Sequence, residues 1–331
     1  MRKKLIIGMG SMALVLVLVS VLVVGAGAQT NSREIDAIVS TQWLEDNLSD
    51  PDLVILDVRN PDEYAGGHIP GAINSPEWMW YTSYPFVDPP PWLELPAVDD
   101  LFATIGAAGI TGDSLVVIVS RTVDSAAGPA VYAVAGASRV AVTLIYASVE
   151  NVAILDGGYD KWVAEAKATS TVPVEPTPVT YEGEVNEAMF VSTDYVEDVV
   201  NLGWWWRVLK RCVIIDARDA DVYFGVTQEP WTPYPGHIPS AKSLPVPWLW
   251  NAGADYYTYK DADVLGDMAA GVAGKYLPPK ETIVYCGVGG YASTAYFVLS
   301  EVLGYSNVKM YDGSAQEWTL AGNPVVLYEW E

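Results

Sequence analysis

Cysteine and histidine are nearly absent from this chain: 2 of each in 331 residues. Two thiols cannot build a disulfide scaffold, and four such side chains scattered along the sequence do not make a Cys/His zinc cluster. Basic residues are also scarce, 18 Lys plus Arg against 41 Asp plus Glu, for a formal net charge of −23. Nucleic acid is excluded as a partner, because phosphate contacts need clustered Lys or Arg. What is abundant is apolar sequence: 51% of the residues are hydrophobic, which excludes a disordered chain. At ~150 residues per domain, the length predicts about two domains.

One long apolar run stands apart. Arg2, Lys3 and Lys4 precede a charge-free stretch over 5–24, and Ala26-Gly27-Ala28 follows it. Basic start, apolar middle and small-residue end are the layout of a secretory signal peptide. A run of ~20 residues also spans a bilayer at ~1.5 Å per residue, so an uncleaved anchor has the same pattern. Residues 1–28 are therefore read as a signal peptide or an N-terminal membrane anchor. Either places the rest of the chain outside the cytoplasm, in the periplasm or cell envelope or secreted.

Beyond residue 28 the sequence states one pattern twice. Val39-Ser40-Thr41 and Val191-Ser192-Thr193 each open a helical pattern, with Ser in the capping position. The apolar run ending Asp57-Val58-Arg59 returns as the run ending Asp216-Ala217-Arg218. Gly67-His68-Ile69-Pro70 returns as Gly236-His237-Ile238-Pro239. A strand ending at Ser120 matches one ending at Cys286, and Asp156-Gly157 with Trp162 matches Asp312-Gly313 with Trp318. Between the copies lies a segment with Pro173, Pro176 and Pro178, which favours extended backbone. The predicted organisation is a first domain over 33–166, a linker over 167–186 and a second domain over 187–331. Short apolar runs alternating with helical patterns predict an α/β fold, each domain a parallel sheet covered by helices on both faces. Ser120 and Cys286 both fall at the carboxyl ends of strands, where such sheets bind ligands.

The candidate chemistry lies in one loop. Cys286 is followed by Gly287, Val288, Gly289, Gly290 and Tyr291, and then by a helix over 292–303 with Gly304 at its C-terminus. Glycines at this spacing let successive N–H groups turn inward as an anion nest, and the helix adds its positive end. A thiol there is expected to have a lowered pKa and to act as a nucleophilic thiolate. The same nest would hold a persulfide.

These motifs resemble the rhodanese family, and the match covers nearly the whole chain after the leader. The resemblance implies two tandem rhodanese-like domains, the first catalytically silent. It implies a thiosulfate sulfurtransferase-like enzyme that carries sulfane sulfur on Cys286. Gly287, Val288, Gly289, Gly290, Tyr291 and Arg218 would bind the substrate, with no metal and no organic cofactor. The implied partners are a small donor such as thiosulfate or polysulfide and an acceptor: a thiol, cyanide or a protein. A phosphatase reading is excluded, because its Arg six positions after Cys is Ala292 here. The sequence also departs from the family. The residues after Cys286 carry no positive charge, Val222 stands where a substrate-binding Arg is expected, and another Arg expected near Glu229 is missing beside Trp231. These departures sustain an alternative, a non-catalytic sulfur-carrier or protein-binding module at the cell envelope.

Other residues have plainer expectations. Asp57 with Arg59, Asp216 with Arg218, and both histidines read as structural groups, and Asp312-Gly313-Ser314 reads as a turn near the active loop. Cys212, at the far end of a neighbouring strand, is expected to be a buried core thiol. It is too distant from Cys286 for a disulfide or a redox pair. The aromatic groups Trp78, Trp80, Tyr81, Tyr84, Phe86 and Trp92, then Trp248, Trp250, Tyr256 and Tyr257, and finally Trp204-Trp205-Trp206, predict packing between domains, an apolar rim around the loop, or a protein- or membrane-facing patch.

Overall fold

The computed structural model describes residues 33–82, 93–202, 209, 211–253, 255–274 and 279–331. The leader, Tyr84, Phe86, Trp92 and Trp204–Trp206 lie outside the described residues. Among those described, no helix is long and apolar enough to cross a membrane.

Twelve strands occur in three sheets among the described residues. In the first half, β1 (Ile38–Val39), β2 (Leu53–Asp57), β3 (Ile73–Asn74), β4 (Leu115–Val119) and β5 (Val152–Leu155) form a parallel sheet of order β1-β5-β4-β2-β3. In the second, β6 (Phe190–Val191), β7 (Cys212–Asp216), β8 (Ala241–Ser243), β11 (Glu281–Tyr285) and β12 (Val308–Tyr311) form a parallel sheet of order β6-β12-β11-β7-β8. Between β8 and β11, a short antiparallel hairpin joins β9 (Trp250–Ala252) and β10 (Tyr257–Tyr259). Registers match too: Asp57 pairs with Val119 in one sheet, and Asp216 with Tyr285 in the other.

Strand residues are apolar on both faces because helices cover both faces. Successive residues point to opposite sides. Ile55, Val117 and Leu155 join an outer cluster with Leu44 and Trp162, while Leu56, Val116 and Ile154 face inward. In the second sheet Ile214, Ile283 and Tyr311 face outward with Trp318, and Ile215, Val284 and Met310 face inward. The two inward faces, with helices Val98–Ala107, Ala130–Tyr146, Ala262–Ala273 and Gly290–Phe297, share one continuous core. Helix Gly290–Phe297 is buried on every side from Ala292 to Phe297, which explains why it lacks a polar face.

The repeated motifs have repeated structural work. Ser40 Oγ accepts the Trp43 N–H at 3.0 Å, and Ser192 Oγ accepts the Tyr195 N–H at 3.3 Å, capping helices Thr41–Asn47 and Thr193–Asn201. Arg59 Nη2 donates to Asp57 at 2.6 Å and to the Gly67 carbonyl at 2.9 Å. Arg218 Nη2 does the same with Asp216 at 2.6 Å and Gly236 at 2.8 Å. His68 Nδ1 lies 3.0 Å from the Tyr64 carbonyl, and His237 Nδ1 lies 2.8 Å from that of Tyr223. Trp162 and Trp318 each donate through the indole at 2.8 Å to a carbonyl just past their helix, Ala168 and Pro324.

The halves are stitched across their shared core. From the second half, the Tyr257 N–H reaches the Thr122 carbonyl at 3.1 Å and the Tyr259 N–H reaches Asp156 at 2.9 Å. From the first, the Leu95 N–H reaches Asp312 at 3.0 Å. Trp80, Trp250 and Tyr259 are buried in the shared core, so these aromatics pack between the halves, whereas Trp248 is exposed. The Pro-rich segment lies against the first half: Ser170 exchanges two backbone hydrogen bonds with His68, and the Val179 N–H donates to the Gly106 carbonyl.

Candidate active site

Cys286 follows the last residue of β11 and is 3% exposed. Its N–H donates to Ser314 Oγ at 3.1 Å, and that hydroxyl donates to the Tyr311 carbonyl at 2.9 Å. The carbonyls of Cys286 and Gly287 accept the N–H groups of Ala315 and Gln316 at 2.9 and 3.0 Å. The turn 312–314 thus clamps the base of the loop from β12. Ser314 holds a left-handed φ of +51° to do so.

The loop then curls over the sulfur. Gly289 adopts φ +98°, a region that a side chain would strain, and its N–H points at Cys286 Sγ from 3.1 Å. The backbone N–H groups of Val288 and Ala292 are also directed at the thiol. Helix Gly290–Phe297 begins two residues earlier than the sequence suggests, so Gly290 and Tyr291 are its first turn rather than loop. It continues through a π-helical turn, Val298–Val302, and ends at Gly304 with φ +69°. Of the predicted binding residues, Val288 and Gly289 aim amides at the sulfur, with Ala292 as an unpredicted third.

The expected drop in thiol pKa is overturned. Burial pushes the Cys286 thiol up, and the Glu229 carboxylate adds to it, while the amides of Ala292, Val288 and Gly289 pull the other way without reversing it. The guanidinium groups described near the loop are engaged with carboxylates. Arg218, predicted to bind substrate, gives Nε and Nη2 to Asp216, Nη2 also to the Gly236 carbonyl, and Nη1 to Glu229 at 3.2 Å. Its side chain is 3% exposed. Arg218 thus holds Glu229, whose carboxylate lies against the loop. The other guanidinium nearby, Arg139 from helix Ala130–Tyr146, forks onto Asp312 at 2.5 and 3.1 Å.

Glu229 is the residue that sequence reasoning passes over. A methyl group at Gly287 would come within 2.5 Å of both Glu229 Oε1 and Trp231 Nε1, so the carboxylate and indole lie directly on the loop. Burial raises the Glu229 pKa, and Arg218 opposes this. Tyr291 is half-buried, stacks on Tyr132 with centroids 6.1 Å apart, and has its pKa raised by burial first, then by the charges of Asp219 and Glu229. Arg139 also escapes notice along the chain, although a lone Arg inside a 17-residue apolar helix is a legible signal.

Cys212 is only half-buried, not a core thiol, because it sits at the exposed start of β7, where its Sγ donates to Glu281 at 3.2 Å. The length of β7 separates it from Cys286 by about 16 Å at ~3.3 Å per residue, and no disulfide joins the two. Among the described residues, no group of three or more His, Cys, Asp or Glu could hold a metal ion.

In the first half, Ser120 occupies the position of Cys286. It lines a cavity of about 290 Å³ with Arg59, Glu63, Glu77, Arg121 and Tyr132. Burial pushes Glu77 up to about 7, against the pull of Arg121.

Comparison with known proteins agrees with this doubled architecture. The profile of the rhodanese-like domain matches residues 40–165 and again 203–321. A Mycobacterium leprae protein, named as a candidate thiosulfate sulfurtransferase, is 30% identical over 304 residues, covering 88% of this chain and 98% of its own. The sulfur carrier protein TtuD of Thermus thermophilus is 30% identical over 310 residues, covering 89% and 98%. Among solved structures, the anaerobic ergothioneine biosynthesis enzyme of Chlorobium limicola superposes with a TM-score of 0.70 at 23% identity, over 88% of this chain and 70% of that one. The latter likeness is one of fold. Two matched domains, with relatives aligned over nearly their whole length, leave one conclusion: the chain belongs to the rhodanese family of sulfurtransferases, with two rhodanese-like domains in tandem.

Proposed function

We propose that this protein is an exported sulfurtransferase that carries sulfane sulfur on Cys286. The Gly289 N–H, 3.1 Å from Sγ in a loop of inward-turned amides, is the observation that carries this reading. A thiolate formed at Cys286 attacks the outer sulfur of a donor. The Sγ–S bond forms, the donor S–S bond breaks, and the electron pair leaves with the donor's inner sulfur. With thiosulfate the leaving group is sulfite; with a persulfide it is a thiolate. An acceptor, whether cyanide, a thiol or a partner protein, then takes the outer sulfur and restores Cys286. Two half-reactions of this kind are ping-pong. The loop amides hold the anionic outer sulfur between them. In this reading Arg218 positions Glu229, and the first half walls the loop through Tyr132. The basic start, charge-free apolar run and small residues over 1–28 support a location outside the cytoplasm, anchored or released.

A second reading, a sulfur carrier without turnover on small donors, is favoured by the raised thiol pKa and by the engagement of Arg218 and Arg139 with carboxylates. The intact mass of the protein is measured before and after polysulfide or thiosulfate, then after cyanide, beside Cys286→Ser. A gain of one sulfur that needs Cys286 and is removed by cyanide supports transfer. No gain from any donor, in folded protein with a free thiol, rejects it. Loading by a protein donor alone selects the carrier.

A further inference from the structure

We propose that Glu229 sets the charge this site accepts: sulfur is exchanged with molecules that are uncharged or cationic beside the reacting sulfur, and dianions such as thiosulfate are turned away. The proposal rests on sulfur transfer at Cys286 and names the substrate class for it. Its first support is geometric. The Glu229 carboxylate and the Trp231 indole lie so close on the loop that Gly287 has no room for a methyl group. Any donor reaching Sγ from that side passes a carboxylate.

The second support is the balance of charges. Among the described residues, two guanidinium groups come near the loop and both are engaged: Arg218 with Asp216 at 2.6 Å and Arg139 with Asp312 at 2.5 Å. Glu229 is left with a share of Arg218, through Nη1 at 3.2 Å, and with the Trp231 indole. With Asp216, Asp312 and Glu229 set against two cations, the surroundings of the sulfur carry net negative charge before Asp219, near Tyr291, is added. The whole chain, at −23, has the same sign. Like charges brought together in a partly dry site repel strongly. The third support is the lining. Tyr291, stacked on Tyr132, and Trp231, against Gly287, border the loop with aromatic side chains, which tolerate apolar groups and attract cations.

The chemistry requires no co-reactant. A persulfide R–S–S–H gives its outer sulfur to the Cys286 thiolate: the Sγ–S bond forms, the donor S–S bond breaks, and R–S leaves with the electron pair as a thiolate. The proton stays on the transferred sulfur or passes to the leaving group. Cys286 is oxidised to the persulfide level while the donor is reduced to a thiol.

The test uses three donors on the purified protein: thiosulfate, cysteamine persulfide (cationic) and 3-mercaptopropionate persulfide (anionic). Rates of sulfur loading on Cys286 are read by intact mass for the wild type, Glu229→Gln and Glu229→Asp. Glu229→Gln should raise the ratio of thiosulfate to cysteamine persulfide loading by about tenfold or more, and the same ratio for the mercaptopropionate donor in the same direction. Glu229→Asp should keep the wild-type preference. An unchanged ratio in Glu229→Gln overturns the proposal, since a structural role alone would slow all three donors together. Salt offers a check that needs no variant. Raising ionic strength should speed loading from thiosulfate and slow it from cysteamine persulfide, because screening weakens both repulsion and attraction. The opposite trend overturns the proposal as well. Loading from no donor would instead reject sulfur transfer itself.

Discussion

The two halves of this protein share strand order, register, caps, ion pairs and histidine turns, yet only one places a thiol at the head of its loop. The difference lies in what each loop does with its own amides. In the second half, Gly287-Val288-Gly289 follows the strand, and the Gly289 N–H is left to Cys286 Sγ. In the first half, Arg121-Thr122-Val123 follows Ser120, and the Thr122 N–H is taken by Asp160 at 2.5 Å. Arg121 donates to the Val123 and Gly128 carbonyls. The first loop commits the amide of Thr122, the counterpart of Val288, to a carboxylate, while the second turns its amides towards Cys286 Sγ. A duplicated frame therefore preserves the fold without preserving the chemistry, because the frame lies in the strands and turns and the chemistry in three loop residues.

The strongest way to break this comparison is to exchange the two head residues. Cys286→Ser should abolish sulfur loading, and Ser120→Cys in that background should not restore it, because Asp160 already holds the Thr122 amide, the counterpart of Val288. Cyanide-dependent release of thiocyanate measures both; activity in the doubly substituted protein would show that residue identity alone separates the halves.

Next in size is the pair that joins the halves. Arg139 is 1% exposed and Asp312 14%, so Arg139→Met strands a mostly buried carboxylate beside the active turn. The expected loss is ~3–5 kcal/mol of unfolding free energy, read by urea denaturation. A loss under ~1 kcal/mol would mean that the shared apolar core, not this pair, holds the domains together.

A sharper probe of the loop is the pH dependence of Cys286 alkylation in a Cys212→Ser background. The thiol pKa is raised above its ordinary 9.0. The thiolate fraction, and with it the iodoacetamide rate, should grow about tenfold per pH unit and still be rising at about pH 9. A plateau below about pH 8 would show that the amides outweigh burial and Glu229.

The smallest effects test the sameness of the halves. Ser40→Ala and Ser192→Ala each remove a helix cap and should each cost ~1 kcal/mol by urea denaturation. The longer Ser192 bond, 3.3 Å against 3.0 Å, places the second loss at the lower end. Markedly unequal losses would show that one frame is under greater load than the other.

Much of this is open to reading along the chain. Ser40 and Ser192, the Asp-x-Arg pairs, the Gly-His-Ile-Pro turns and Cys286 at a strand end are local patterns. They are set by hydrogen bonds that span a few residues and by a strand period of two. The glycines after Cys286 likewise announce a turn of backbone amides, since few other residues adopt φ near +98° as Gly289 does. What lies out of reach are contacts between distant segments. Glu229 acts on a loop that comes far later in the sequence, Arg139 on a turn 173 residues away, and Tyr132 on Tyr291. The thiol pKa escapes a sequence reading for the same reason: helix and amides are local and favour the thiolate, whereas burial and a neighbouring carboxylate come from elsewhere in the fold. Sequence alone determined the duplicated α/β frame and the position of Cys286 at the head of a glycine-rich loop, because both rest on short-range periodicity and turn chemistry. Only the tertiary structure decided the charge around that thiol, because electrostatic environment is the sum of groups that meet solely by folding.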